Sequence, residues 1–175
     1  MLTRRAVLAL CAGLVSLGAT AAVAADAIPP DFTLTAEYYP ALPVFGADGA
    51  ASREWHRWTL TVTAAGRAVQ EVQRSARGSP TGIRTRSVKV SRRELEELVA
   101  VVRASNFQFL APEYAFEVSP AAALVLRITI DARQHDVTVY APDKRAGDSE
   151  VAAFLRVWNQ ALRLVPPPNP GQGPE

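Results

Sequence analysis

Cysteine and histidine are scarce in this chain of 175 residues. The single cysteine, Cys11, lies near the N-terminus, and the rest of the chain therefore has no disulfide, no thiol nucleophile and no thiolate ligand for a metal. The two histidines, His56 and His135, belong to no cluster with metal-ligand spacing, whereas a zinc site needs at least three protein ligands. The sequence thus predicts no metal and no cofactor.

Long apolar runs are also rare. The run at residues 6–19 is too short and too rich in alanine for a stable membrane span. Arg4 and Arg5 precede it, and Ala22 and Ala24 follow it in an A-x-A pattern, which is typical of a secretory signal peptide. We expect residues 1–25 to be cleaved and the mature protein to be periplasmic or secreted, without a membrane span. The paired arginines resemble the twin-arginine export motif, so both export routes stay open.

Net charge is absent from the predicted mature chain. The signal peptide contains two of the 19 basic residues and no acid, which leaves 17 basic against 17 acidic residues. An exported domain without net positive charge has little attraction for nucleic acid, and we expect no nucleic-acid partner. The remaining length suits a single domain with its own core. We assign residues 26–165 to this domain and residues 166–175 to a disordered, proline-rich tail.

Alternation of apolar and polar residues predicts most of the secondary structure. The predicted strands cover residues 31–39, 55–64, 68–74, 83–90, 123–131 and 135–140. Gly66 and residues 78–82 are predicted turns. The strands at 55–64 and 68–74 form one hairpin, and the last two strands form another.

Two segments have helical spacing instead. Ser91 and Glu94 form a capping box ahead of an apolar stripe, and this helix is expected to end near Ser105. A last helix begins at Asp148 or Ser149 and stops at a run of three prolines. Its apolar stripe consists of Val151, Phe154, Leu155, Trp158, Leu162 and Val165. The expected fold class is α+β: an antiparallel β-sheet with two helices packed on one face, preceded by a cleaved signal peptide.

The second half of the chain resembles an uncharacterised family of small secreted or lipoprotein-type bacterial α+β domains. The resemblance runs from Ser91 to Tyr140 and rests on Ser91-x-x-Glu94-Leu95, Asn106-Phe107, Leu110, Tyr114 and the strand pair Leu124–Asp131 and His135–Tyr140. Such domains often carry an acid shortly after the tyrosine, where this chain reads Val118-Ser119-Pro120. The family has no assigned activity, so the resemblance implies a fold and no function.

Basic residues concentrate in one segment of the mature chain. Eight lie between Arg67 and Arg93, where Glu71 is the one acid. One interpretation is solvated surface on a sheet edge, where charge prevents edge-to-edge pairing. The other is an anion-binding patch. On the second interpretation Arg84 and Arg86, which share a strand face, and Trp55, which lies on the strand face opposite Trp58, are the candidate partner-binding residues.

Two functional hypotheses remain open from the sequence. The first is an exported, non-catalytic domain that binds a partner protein or an anionic envelope component. The second is a small hydrolase or metal-dependent enzyme that uses His56 and His135. A pocket that holds both histidines and a carboxylate favours the enzyme, and a flat sheet face with Trp55 and the arginines favours binding.

The signal-peptide prediction can be checked directly. If residues 1–25 are cleaved on export, the N-terminal sequence of the protein recovered outside the cytoplasm starts at Ala25 or Asp26. An intact Met1 terminus on that protein would contradict the prediction.

Overall fold

The computed structural model describes residues 28–41, 55–76, 79–115, 121–145 and 147–167. The strands and α-helices in these ranges are β1 Thr33–Tyr39, β2 Trp55–Thr63, β3 Arg67–Ala76, β4 Ser79–Lys89, α1 Arg92–Ala104, β5 Glu113–Tyr114, β6 Ala123–Ile130, β7 Arg133–Tyr140 and α2 Ser149–Leu164. Two short 3-10 helices lie at Phe107–Phe109 and Pro142–Lys144. The predicted signal peptide and residues 168–175 of the predicted tail lie outside the described residues.

All of these strands belong to a 7-stranded sheet with the order β4-β3-β2-β1-β6-β7-β5. Neighbouring strands are antiparallel except for β5, which pairs with β7 in parallel. The predicted α+β fold, with an antiparallel sheet and two helices, is confirmed. The parallel strand was not predicted because it is only two residues long and its pairing with Thr138 and Val139 is set by tertiary contact.

The register gives the sheet one covered and one open face. Leu34 lies level with Val62 on one side and Ile128 on the other, so side chains of these strands alternate in phase across the sheet. The apolar members of one face are buried with both helices in one core. They include Leu34, Ala36, Trp58, Leu60, Val62, Leu126, Ile128, Val137 and Val139. The open face carries mainly threonines and charged residues.

Both helices begin and face the core as predicted. Ser91 caps α1: its backbone N–H donates to Glu94 at 2.8 Å, and its hydroxyl accepts from the Glu94 N–H at 3.3 Å. Asp148 caps α2 by accepting from the Glu150 N–H at 3.0 Å. The predicted stripe of α1, namely Leu95, Leu98, Val99 and Val102, is buried throughout. In α2, Leu155 and Leu162 are half-buried, and Val157 and Ala161 join the buried stripe instead.

Gly66 makes the turn between β2 and β3 and also contacts the end of β4. Its φ of +73° is a left-handed conformation that favours glycine. A Cβ at this position would lie 2.8 Å from the carbonyl oxygen of Val90, which is too close for any side chain. The Gly66 carbonyl accepts a hydrogen bond from the Val90 N–H at 2.8 Å. This turn therefore fixes both the β2–β3 hairpin and the position of β4 beside β3.

The predicted turn at residues 78–82 is wrong for most of its length. The strand β4 begins at Ser79, and Pro80 pairs with Ser75 across a register shift in the β3–β4 ladder. Proline is tolerated there because β4 is an edge strand and a bulge interrupts the ladder. The signal of Pro80 and Gly82 thus corresponds to an irregular strand start, and Gly78 lies outside the described residues.

The end of α2 is attached to the sheet. The Gln70 side-chain amide, buried on the covered face of β3, donates to the carbonyl oxygen of Pro166 at 3.1 Å. Pro166 was assigned to the disordered tail, and this bond shows that the chain is held to the sheet for at least one residue past the predicted domain end. In the ranges described, neither helix is long and apolar enough to span a membrane.

Trp158 joins α2 to the sheet. It is 6 % exposed, meets Trp58 of β2 edge-on with ring centroids 5.7 Å apart, and stacks on Phe154 at 6.2 Å.

Trp158→Ala is expected to lower the free energy of unfolding by about 3–5 kcal/mol because it leaves a large cavity between helix and sheet. Urea unfolding measures the loss. Arg156→Ala, on the exposed side of α2, is the control, and an equal effect of the two substitutions would contradict the packing described.

Candidate functional site

The edge strand β4 places the predicted binding arginines in solvent. Arg84 and Arg86 are exposed, and neither forms an ion pair within the described ranges. They pair with Val72 and Gln70 of β3, and so lie on the face that the helices cover elsewhere. Toward the end of β4 the side chains on that face become covered: Val88 is half-buried and Val90 is buried. The two arginines therefore stand just beyond the edge of the core.

Four other cations of the basic segment do not extend this patch. Arg92 and Arg93 at the start of α1 are paired with Glu96 at 2.8 Å and Glu97 at 3.0 Å, one helical turn away. Lys89 lies on the opposite face of β4 from the arginines, directly across from Arg67 of β3. These four cations thus separate into a neutralised helix start and the pair Lys89 and Arg67 on the other face of the sheet.

An apolar side chain lies beside the arginines on the other face of β4. Ile83 is 60 % exposed. It lines a cavity of about 120 Å³ with Arg57, Thr59, Glu71 and Gln73 on the open face. The exposed part of β4 therefore presents two cations on one face and an apolar group on the other.

Trp55 and His56 stand at the irregular start of β2. The β2–β3 register shifts between Trp55 and Arg57, so the alternation that predicted opposite faces for Trp55 and Trp58 is interrupted there. The backbone of Trp55 pairs with Arg74, next to the Gln73 that pairs with Ile83 of β4. Trp55 thus lies one strand away from the start of the exposed part of β4. Its side chain and that of His56 lie outside what the structure describes.

The two histidines do not share a site. His135 pairs with Ile128, which is level with Leu34 and thus with Val62 of β2. His56 lies six residues away from Val62 along β2, a distance of about 20 Å, and three strand spacings add about 14 Å sideways. His135 Nε2 donates to the Leu110 carbonyl oxygen at 2.8 Å, and the ring packs edge-on against Phe107. His135 therefore helps to pack the 3-10 helix Phe107–Phe109 against β7.

The described residues contain no group of three or more histidine, cysteine or carboxylate side chains that could hold a metal ion. The candidate site is thus the exposed part of β4 and the open sheet face beside it.

A polar network that the sequence does not predict lies at the centre of the open face. Glu37 of β1 is 6 % exposed and accepts hydrogen bonds from Tyr39 and Arg57. Arg127 of β6 donates to the other oxygen of Glu37 at 3.4 Å and to Asp136 of β7 at 2.7 Å. Residues on four strands meet here, and only the sheet register, which the sequence does not reveal, brings them together.

Glu37 is held ionised by its cationic neighbours. Burial raises its pKa, but the hydrogen bonds from Tyr39 and Arg57 and the charges of Arg57 and Arg127 outweigh burial, and the pKa is lowered. Burial and the bond to Glu37 raise the pKa of the Tyr39 hydroxyl, which stays protonated. Arg57 also lies over the Tyr39 ring, 5.2 Å from its centroid. This closed network fixes β1, β2, β6 and β7 on the open face and leaves no unpaired acid or base for catalysis within it.

No protein-family model matches the chain, and no curated protein is significantly similar to it.

The Glu37 network makes a prediction about acid stability. A lowered folded-state pKa means that the contribution of Glu37 is complete above the usual pKa of 4.5 and is lost as the pH falls through the folded value. Glu37→Gln should lower the free energy of unfolding at neutral pH by about 1–3 kcal/mol and flatten its fall below about pH 4. Urea unfolding at several pH values measures both. Glu113→Gln, at an exposed position, is the control, and parallel profiles for parent and Glu37→Gln would contradict the assignment.

Proposed function

We propose that this protein is exported and that its folded domain, residues 26–165, is a non-catalytic binding module for an acidic protein of the cell envelope. The observation that carries the proposal is the exposed pair Arg84 and Arg86 on an edge strand, which has no ion pair with any residue that the structure describes. Every residue of β4 is neutral or basic. The arginines are two residues apart on a strand, so their side chains project from the same face, about 7 Å from each other. This spacing suits two carboxylates on an extended partner.

The charge of this surface favours a protein partner over a lipid surface. A basic residue near an anionic membrane contributes about 1 kcal/mol, and lipid-binding segments usually contain four to eight of them. Arg84 and Arg86 alone give too little for stable membrane binding. Lys89 and Arg67 of β3 are on the opposite face of the sheet and cannot meet the same flat surface.

The enzyme alternative has less support. It requires His56 and His135 to act together, and the sheet register separates their backbones by three strands and six residue positions. His135 is already engaged by Leu110 and Phe107. Membership of the uncharacterised family named above stays a prediction, and it would supply no activity.

Neutralising the arginine pair should abolish binding. Immobilised mature protein is tested for retention of polyglutamate, as a stand-in for an acidic protein, and of phosphatidylglycerol vesicles, as a stand-in for an anionic lipid surface. We expect retention of polyglutamate that weakens steeply with salt, since surface charges are screened over about 8 Å at physiological ionic strength. Arg84→Gln with Arg86→Gln should remove it.

The matched control is Arg92→Gln with Arg93→Gln, which changes the net charge equally at cations already paired with glutamates. This variant should retain polyglutamate as the parent does. Equal loss in both variants would mean non-specific attraction and would contradict the proposal. Retention of the vesicles alone, with the same dependence on Arg84 and Arg86, would replace the protein partner by an anionic envelope component.

A further inference from the structure

The hydrogen bond between Val90 and Gly66 fixes the direction of the backbone groups along β4. The Val90 N–H points toward the β3 side, where it donates to the Gly66 carbonyl oxygen at 2.8 Å. The β3–β4 register is unbroken from Lys89 back to Ile83. In an antiparallel ladder the N–H and C=O groups of successive residues point to alternate sides. The backbone groups of Arg84, Arg86 and Val88 therefore point to β3.

The intervening residues point their backbone groups away from the sheet. Ile83, Thr85, Ser87 and Lys89 each present an N–H and a C=O at the outer edge of β4, and none of them is proline. β4 is the terminal strand of the sheet, and no other strand in the described part of the chain pairs with this edge. Such an edge is a template for an additional strand.

We propose that the outer edge of β4 binds an extended acidic segment of the partner protein as an added antiparallel strand, an inference that rests on the proposed function. Residues directly opposite each other in a ladder share a face. Side chains across from Arg84 and Arg86 would thus meet the arginines, and the side chain across from Ile83 would lie on the other face. From its N-terminus, the incoming segment thus has an acid across from Arg86, any residue across from Thr85, an acid across from Arg84 and an apolar residue across from Ile83.

Charge argues against a second copy of this chain that pairs about Thr85 as the added strand. Two β4 strands related by a two-fold axis at Thr85 would place Arg84 of each directly opposite Arg86 of the other. Like charges in directly opposed positions destabilise a strand pair, and no residue of β4 is acidic. An acidic segment reverses this repulsion and covers Ile83 as well.

The test measures the affinity of the mature protein for labelled synthetic peptides by fluorescence anisotropy. The reference peptide has glutamate, threonine, glutamate and valine at the four matched positions and threonines on either side. We expect it to bind, and to bind at least about tenfold more weakly when lysines replace both glutamates. Arg84→Gln with Arg86→Gln should cause a similar loss, and Arg92→Gln with Arg93→Gln should cause none.

Two N-methylated peptides distinguish strand addition from attraction between side chains alone. Methyl groups on the amides of the central threonine and the valine remove the two N–H donors that would face β4 across from Thr85 and Ile83. Methyl groups on the amides of the two glutamates remove donors that would face solvent. Both peptides keep the same charge and the same number of methyl groups. The first should lose binding, and the second should bind like the reference.

Equal binding of the two methylated peptides, with dependence on Arg84 and Arg86 retained, would overturn strand addition and leave the proposed acidic partner intact. Absence of binding by the reference peptide at millimolar concentration would also overturn strand addition, and retention of polyglutamate would then decide the proposed function separately. A concentration-dependent dimer of the mature protein, abolished by Thr85→Pro, would assign the edge to a second copy and overturn the proposal.

Discussion

The sheet of this domain is wider than the two helices that pack on it. Adjacent strands lie about 4.8 Å apart, and seven strands therefore span about 29 Å. Two helices side by side, each about 10 Å across, cover about 20 Å. α2 packs on the sheet where Trp158 meets Trp58 of β2, and both helices share one core with the covered face. The part of the sheet that the helices leave uncovered lies at its edges, where β5 is only two residues long and β4 extends into solvent on both faces.

The composition of each surface follows from this mismatch. The covered face is mainly apolar, whereas the open face carries threonines and an ion network around Glu37. The uncovered part of β4 carries Arg84 and Arg86, and charge on an edge strand opposes pairing with another copy of the same strand. The same charges make the edge selective for an acidic segment. Protection from self-association and recognition of a partner thus depend on the same two side chains.

The local elements could be predicted because their signals are local. The Ser91–Glu94 capping box, the stripe of α1 and the hairpin of β6 and β7 depend on residues that are close in sequence, and all three are present. The irregular start of β4 is not predicted because Pro80 and Gly82 are typical of a turn and also of a bulged edge strand. The Glu37 network and the separation of the histidines depend on strand order and register over long sequence distances, which alternation alone does not determine.

Amide hydrogen exchange of the free mature protein shows whether β4 is an open edge with alternating backbone groups. Protection requires a hydrogen-bonded N–H in a stable region. We expect slow exchange at Arg84, Arg86 and Val88, whose amides face β3, and fast exchange at Ile83, Thr85 and Ser87, whose amides face outward. Uniform protection along residues 83–88 in the free monomer would show that the edge is already covered and that it offers no place for an added strand.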